Sequence, residues 1–154
     1  MSDQEMQSIV EISVERLLPE VDALRSAGWR IVQILCVSSA GGNELSYSFG
    51  SGLEMRSLRI RLPAEAPAAE SKVPSITALY PAAFLYENEM HDLFGLTVDG
   101  MAVDFKGTFY KTAVKYPFGS TKAPAVKPAT ATATSVPATP APVPPPPSTT
   151  ATTH

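Results

Sequence analysis

In the first part of the chain, the spacing of apolar residues changes from helical to strand-like. Over residues 8–27 they recur at a broadly helical period that ends at Gly28, which predicts a helix that breaks or begins near Pro19. Three later stretches are rich in β-branched residues or alternate apolar and polar positions, which predicts strands. The strands cover residues 29–39, 44–50 and 53–62, and the turns between them cover residues 40–43 and 51–52.

A second helix is predicted between Pro81 and Gly95, because proline suits the first turn of a helix and glycine the residue just past its end. Its apolar residues form one stripe at helical spacing, which consists of Ala83, Tyr86, Met90 and Leu93. The same spacing places four polar residues on the outer side, namely Glu87, Asn88, His91 and Asp92. Glu89 projects beside the stripe and needs a partner there, since an unpaired buried carboxylate costs several kcal/mol.

Short extended segments are predicted on both sides of this second helix. Residues 75–79 read as extended, and residues 96–105 as two short strands around a turn at Asp99–Gly100. Residues 106–119 place aromatic side chains among lysines. A run of strands next to helices predicts the α+β class. We expect a small antiparallel sheet of three to four strands covered by two helices, followed by an extended C-terminal arm.

Composition divides the chain into two parts. Residues 121–154 contain no acidic or aromatic residue and are rich in Pro, Ala and Thr, so they cannot bury enough apolar surface to offset the entropy of ordering. We therefore predict one folded domain over residues 1–120 and a disordered tail over 121–154. The net charge of −3 and the absence of a binding motif argue against nucleic acid as a partner. The lysines after Asp104 either meet an acidic partner or anionic lipid, or form a solvated basic end.

The single cysteine, Cys36, lies in an apolar run and is predicted to be a buried structural thiol. The polar, acidic N-terminus does not resemble a signal peptide, and no apolar run in the sequence is long enough to span a membrane. A cytoplasmic protein is therefore expected, attached to a membrane only through its partners.

Glu87 and His91 lie four residues apart on one helix face, which is the spacing of metal ligands. Together with Asp92 they could form the site of an independent metal-dependent or acid–base enzyme. The only other histidine is His154, however, and the sequence has no HExxH motif and no phosphate-binding glycine loop. A binding or scaffold role without catalysis by this chain accounts for more of the residues.

The block from Leu79 to Gly100 resembles the signature of the 30 kDa subunit family of respiratory complex I, which reads approximately A-x-W-x-E-R-E-x-x-D-L-F-G. The matching positions are Ala83, Glu87, Glu89, Asp92, Leu93, Phe94 and Gly95. Asn88 stands where the family usually has Arg, and the family's following G-H-P-x-x-R-R-I-L segment is absent. In its place, residues 99–119 resemble the corresponding small subunit (the D subunit) of the Ech-type energy-converting, membrane-bound nickel–iron hydrogenases.

This resemblance implies a peripheral accessory subunit with no catalytic or metal-binding residue and no cofactor of its own. Its partners would be the nickel–iron large subunit and the iron–sulfur subunits of a membrane complex, which would hold the nickel–iron centre and the clusters. Such complexes couple ferredoxin-linked proton reduction to ion translocation. The equivalent subunit of an NADH/quinone oxidoreductase is the first alternative, and the independent metal-dependent enzyme is the second.

The same resemblance assigns interface or structural roles to particular residues. Glu87, Glu89 and Asp92 would bond backbone amides or arginines, either in a partner or within this chain. Candidate internal arginines are Arg56, Arg59 and Arg61. Phe94 and Gly95 would shape the turn that leaves the helix. The arm over residues 105–118 would lie along the partner through its aromatic residues, which are Phe109, Tyr110, Tyr116 and Phe118.

Overall fold

The computed structural model of the chain describes residues 7–64 and 72–119. In chain order these residues form β1 (Gln7–Glu11), a 3₁₀ turn (Val14–Arg16), α1 (Leu17–Ser26), β2 (Arg30–Ser39), β3 (Gly42–Ser51), β4 (Glu54–Pro63), β5 (Lys72–Pro74), α2 (Ala83–Phe94) and β6 (Thr97–Asp99). Strands β2 to β5 follow one another between the two helices, whereas β1 precedes α1 and β6 follows α2. The predicted α+β class is therefore confirmed.

The main sheet has four strands in the spatial order β1-β4-β3-β2. As predicted, β2, β3 and β4 are antiparallel neighbours joined by tight turns, and their registers pair Ile34 with Tyr47 and Tyr47 with Leu58. The turn between β2 and β3 requires Gly42, whose φ is 122° and where an added Cβ would lie 2.0 Å from the Leu62 carbonyl oxygen. This glycine lets the turn lie directly against the end of β4.

The fourth strand, β1, pairs with β4 in parallel, so the sheet is mixed and the prediction of purely antiparallel pairing is wrong at this edge. The predicted helix over residues 8–27 is also wrong at its start, because Gln7–Glu11 is a strand. Two adjacent β-branched residues in β1 favour an extended chain. The helix begins only at Leu17, which leaves Pro19 in the first turn, where its missing N–H is tolerated.

One hydrophobic core joins the main sheet to both helices. The sheet contributes every second side chain of its central strands, and the buried residues there are Ile34, Cys36, Leu45, Tyr47, Phe49, Leu58, Ile60 and Leu62. The helices contribute Leu17, Val21, Leu24, Ala83 and Met90. The predicted burial of Cys36 is confirmed, and this burial raises the pKa of its thiol to about 12. The thiol is therefore protonated and unreactive at neutral pH.

Two arginines of β4, Arg59 and Arg61, lie on the face of the sheet opposite the core. Arg59 and Arg61 bind the Glu44 carboxylate at 3.1 and 3.4 Å, and Arg61 lies 3.7 Å from Glu11. The Arg56 guanidinium lies over the Trp29 ring, 5.2 Å from its centroid. In the described residues these arginines thus pair with groups of the sheet or with Trp29. The expectation that they bind the carboxylates of the second helix is wrong.

The segments that flank α2 form a smaller sheet. β5 pairs with β6 in parallel, so the segments before and after the helix come together at its side. Of the two strands predicted in residues 96–105, only β6 forms, and residues 75–79 contain a turn in place of an extended segment. The reason is that side chains bind the backbone there, since Thr77 Oγ1 accepts from the Ala102 amide at 3.0 Å.

Some predictions concern residues outside the described ranges. The predicted tail over residues 121–154 lies outside them, so the division into a domain and a tail stays a prediction. Within the described residues, neither helix is long and apolar enough to cross a membrane.

Candidate functional site

The second helix, α2, is positioned by its two ends. At its start, the Pro81 carbonyl accepts from the Phe84 amide at 3.3 Å, so the proline lies in the turn that leads into the helix. At its end, Gly95 is left-handed with φ of 73°, as predicted for the residue just past a helix. A Cβ at Gly95 would also lie 3.0 Å from the Tyr116 ring, so this glycine serves both the turn and the packing of the following segment.

The predicted orientation of α2 is correct for two residues of its apolar stripe, whereas Tyr86 and Leu93 of that stripe are only half-buried, and it is wrong for the polar side. Ala83 and Met90 are buried as expected, yet Glu87, Asn88 and Asp92 are buried too, with exposures of 1%, 0% and 6%. The segments over residues 75–77 and 101–110 cover the helix on that side. A helical period reveals the apolar stripe, but it cannot reveal a second buried face whose contacts are hydrogen bonds.

Glu87 fixes the segment before the helix. Its Oε1 accepts from the Ile76 amide at 2.8 Å, and its Oε2 accepts from the Ser75 hydroxyl at 2.6 Å. Burial raises the pKa of this carboxyl, and the hydrogen bonds from Ser75 and Ile76 partly oppose that rise. Ser75 Oγ also accepts from the Thr77 amide at 3.1 Å, so one carboxylate orders the whole turn.

Asn88 holds the segment after the helix through two of its three hydrogen bonds. Its Nδ2 donates to the Val103 carbonyl at 2.8 Å and to the Phe84 carbonyl of its own helix at 2.7 Å. Its Oδ1 accepts from the Phe105 amide at 2.9 Å. A carboxamide supplies both donor and acceptor here, which neither a carboxylate nor a guanidinium does. This role of Asn88 was not predicted from the sequence. The one sign of it there is that Asn88 stands where the family usually has Arg.

Asp92 makes the next attachment of the same segment. Its Oδ2 accepts from the Tyr110 amide at 2.9 Å, and its Oδ1 lies 3.0 Å from His91 Nδ1. Glu89, in contrast, is half-buried, and its contact with the Tyr110 hydroxyl is 3.5 Å long.

The predicted aromatic residues lie along the segment that α2 holds, which we call the arm (residues 101–119). Phe118 packs against Phe94 with centroids 5.7 Å apart, and its amide donates to the Leu93 carbonyl at 2.9 Å. Tyr116 meets the His91 ring edge-on at 6.2 Å. Phe109 contacts Phe105 and Tyr110 at 5.1 and 4.9 Å. The arm therefore folds back over the C-terminal half of α2.

The outer surface of the arm is apolar and basic. Five large hydrophobic side chains there are at least 40% exposed, namely Val103, Phe105, Tyr110, Val114 and Phe118. From Phe105 to Gly119 the charged residues are all lysines, at positions 106, 111 and 115. Such a surface is suited to bind another protein, because aromatic side chains bury large areas at interfaces. Whether the predicted interface residues touch a partner stays a prediction.

The carboxylates and the histidine of α2 do not form a metal-binding group. Glu87 faces residues 75–77, whereas Asp92 faces the arm. No group of three or more His, Cys, Asp or Glu side chains suited to a metal ion occurs among residues 7–64 and 72–119. The geometry therefore gives these residues the task of ordering the backbone on both sides of α2.

Comparisons with known proteins agree with this geometry. Residues 10–118, more than half of the chain, match the family described as "Respiratory-chain NADH dehydrogenase, 30 Kd subunit". Over 51 residues, 33% of this chain, the sequence is 49% identical to the C/D subunit of the NADH-quinone oxidoreductase of Gluconacetobacter diazotrophicus. The matched region spans only 8% of that relative's length.

A solved structure shares the fold. It is a chain in the structure of the membrane-bound sulfane sulfur reductase, described as an archaeal respiratory membrane complex, and it matches with a TM-score of 0.63. The alignment covers 76% of this chain and 70% of that chain at 19% identity. At this sequence identity, the similarity shows only that the two chains share the arrangement of their helices and strands.

Proposed function

Because the chain belongs to the family of the respiratory-chain NADH dehydrogenase 30 Kd subunit, we propose that it is a peripheral accessory subunit of an energy-converting, membrane-bound nickel–iron hydrogenase. In this role it binds no cofactor itself. It packs against the nickel–iron large subunit and the iron–sulfur subunits on the cytoplasmic side of the membrane. The electron-transfer chemistry belongs to those partners, and the task of this chain is assembly.

One observation carries the proposal. After the family's helix motif, the chain has no G-H-P-x-x-R-R-I-L segment and continues into the arm, whose sequence resembles that of the hydrogenase branch. Asn88, Asp92 and the Leu93 carbonyl hold the backbone of the arm on α2. Its exposed Phe105, Tyr110 and Phe118 are then presented in a fixed arrangement, which lowers the entropy lost on binding a partner.

The second candidate is the equivalent subunit of a quinone-reducing complex. The 49% identity over 51 residues with the C/D subunit of an NADH-quinone oxidoreductase favours it. Both candidates use the same fold and the same helix, so the partner chains decide between them. Purification of the native protein from detergent-solubilised membranes, followed by identification of partners and metal analysis, separates the two.

We expect recovery of a nickel–iron large subunit, iron–sulfur subunits and integral membrane subunits, with nickel and iron in the eluate. Recovery of quinone-oxidoreductase subunits without nickel would replace the hydrogenase proposal with the second candidate. A chain that is recovered alone would reject both.

The surface of the arm is tested in the same purification with a matched pair of variants. Phe118→Ser and Leu53→Ser each remove one exposed apolar side chain, 57% and 87% exposed, the first on the arm and the second at the turn between β3 and β4. We expect partner recovery to fall about tenfold or more for Phe118→Ser, since aromatic anchors dominate interfaces. Leu53→Ser should leave it unchanged. Equal recovery for both variants would show that Phe118 is not part of the interface.

Glu89 tests the predicted role of a carboxylate at this interface. Because it is half-buried and has only a 3.5 Å contact with the Tyr110 hydroxyl in the described residues, its removal should leave the folded chain intact. We expect Glu89→Ala to unfold within about 0.5 kcal/mol of wild type and to recover less partner. If recovery is also normal, Glu89 is a solvated residue without a role in assembly.

A further inference from the structure

A polar cleft lies between the C-terminal end of α2 and the arm. Its volume is about 580 Å³, and its walls include His91, Lys106, Thr112, Lys115 and Tyr116. The proposed interface uses the exposed aromatic side chains of the arm, and one of these residues, Tyr110, also lines the cleft. The other residues that line it carry mainly charged or hydroxyl-bearing side chains. The proposed interface alone therefore does not account for the charged side chains of this cleft.

The exposed charges of the cleft are mostly positive. In the described residues, no carboxylate oxygen lies within 4.0 Å of the ammonium groups of Lys106 and Lys115. Lys115 instead lies over the Tyr116 ring, 5.0 Å from its centroid. Two acids also line the cleft, but the Asp92 side chain is only 2% exposed and both of its oxygens are engaged. The exposed acid is Asp104, which accepts from the Lys106 amide at 2.7 Å.

The backbone of the cleft is held in an unusual conformation. Lys106 and Tyr116, with φ of 52° and 54°, are the non-glycine residues of the described ranges that have positive φ, and both line the cleft. Such a conformation costs about 1–3 kcal/mol per residue and persists only where the surroundings enforce it. Here Gly95 admits the Tyr116 ring, and the Asp92 contact orders the chain at Tyr110. Both lysines therefore lie at or next to a backbone position that its surroundings hold in place.

From this arrangement we propose that the cleft binds an oxyanion, for which Lys106 and Lys115 supply the positive charge and the Thr112 hydroxyl supplies a hydrogen bond. Ammonium groups without a carboxylate partner attract a phosphate or carboxylate group, and a partly enclosed site strengthens that attraction. Phosphate and carboxylate share this chemistry, so a free anion and an acidic group of another molecule are two possible sources. The proposal does not depend on the identity of the complex to which the chain belongs.

The test is a titration of the full chain with sodium sulfate, followed by the backbone amide resonances of Gly107 and Thr112. Sodium chloride is reduced in step to keep the ionic strength constant, which removes general screening effects. We expect a saturable shift of both resonances in the wild-type protein. Parallel titrations with phosphate and with acetate show whether the cleft prefers a phosphate or a carboxylate group.

Lysine variants locate the site. The double variant Lys106→Gln, Lys115→Gln should weaken sulfate binding about tenfold. Each exposed ion pair contributes at most about a fivefold effect on affinity, and this variant removes two of them. Glutamine removes the charge but keeps an unbranched polar side chain with a similar backbone preference at position 106, so thermal unfolding and circular dichroism should match those of the wild type. Lys111→Gln is the control, because Lys111 belongs to the same arm but does not line the cleft, and it should change affinity by less than about twofold.

Two results would overturn the proposal. One is the absence of saturable shifts at Gly107 and Thr112 in the wild-type protein. The other is an equal loss of affinity in Lys111→Gln and in the double variant, which would mean that sulfate responds only to the overall charge of the arm.

Discussion

At the scale of single residues, Glu87 shows how this fold tolerates a buried carboxylate. The Ser75 hydroxyl and the Ile76 amide replace part of its lost hydration, yet burial still raises its pKa above the ordinary value of 4.5. The folded state then binds this proton more tightly than the unfolded state. Its contribution to stability is therefore complete below about pH 4.5 and is lost as the pH rises through the folded pKa.

We expect Glu87→Gln to remove this loss of stability at higher pH, since glutamine cannot ionise. Glutamine also keeps an oxygen that accepts a hydrogen bond from the Ile76 amide. The free energy of unfolding of this variant, relative to wild type, should rise as the pH increases above about 4.5. Glu87→Ala should instead lose about 1–3 kcal/mol, because it leaves the buried Ile76 N–H without a partner. Urea unfolding at several pH values measures both effects, and a constant difference between the glutamine variant and wild type would contradict the raised pKa.

Gly42 is the second residue whose identity the fold dictates. Its φ of 122° and the 2.0 Å distance from an added Cβ to the Leu62 carbonyl oxygen mean that any side chain must displace the backbone. Gly52 provides the control, because its φ is 58° and a Cβ there would meet no atom within 4 Å. We expect Gly52→Ala to cost about 1–2 kcal/mol and Gly42→Ala at least about 3 kcal/mol. Equal thermal unfolding of the two variants would show that the turn relaxes.

At the scale of elements, α2 is the organising element because its polar residues order the chain on both sides of it. Glu87 binds the segment before the helix, whereas Asn88 and Asp92 bind the arm. The arm has no helix or strand after β6, so its stability comes from these few attachments. A variant that removes one of them should therefore loosen the arm without unfolding the sheet.

Asn88→Ala tests this dependence directly, since it removes the bonds to the Phe105 amide and the Val103 carbonyl. We expect the Phe105 amide to exchange with solvent about 5- to 100-fold faster, which corresponds to about 1–3 kcal/mol for an unsatisfied buried group. Leu85→Ala is the control, because Leu85 is 45% exposed on the same helix and should leave this amide unchanged. Unchanged exchange in Asn88→Ala would mean that packing alone holds the arm.

The elements that the sequence predicts correctly are those whose signal is local. The strands β2, β3 and β4, the turns between them and the end of α2 at Gly95 depend on neighbouring residues, and they are confirmed. The strand β1 was not predicted, because its few apolar residues are compatible with two patterns. They continue the helical spacing of α1, and they also fit the spacing of a strand. A pattern this short does not separate the two periods.

At the scale of the whole molecule, the features that could not be predicted depend on contacts between distant parts of the chain. β1 becomes a strand by pairing with β4, and β5 by pairing with β6. In the same way, the polar side of α2 is buried because residues 75–77 and the arm cover it. These pairings place residues side by side that are separated by tens of positions in the sequence, so no local pattern reports them.

Because one core joins the main sheet to both helices, we expect this part of the chain to unfold as a single unit. Cys36 reports on this behaviour, since its thiol is buried in the centre of β2 and its pKa is raised to about 12. Its reaction with a thiol reagent should require global unfolding, so the reaction rate should increase with urea in proportion to the unfolded population. Leu35→Cys supplies an exposed thiol on the same strand, which should react at once while Cys36 stays protected. Two results would show that β2 opens separately from the rest of the core. One is that Cys36 reacts as fast as the exposed thiol. The other is that Gly42→Ala leaves the reaction rate of Cys36 unchanged.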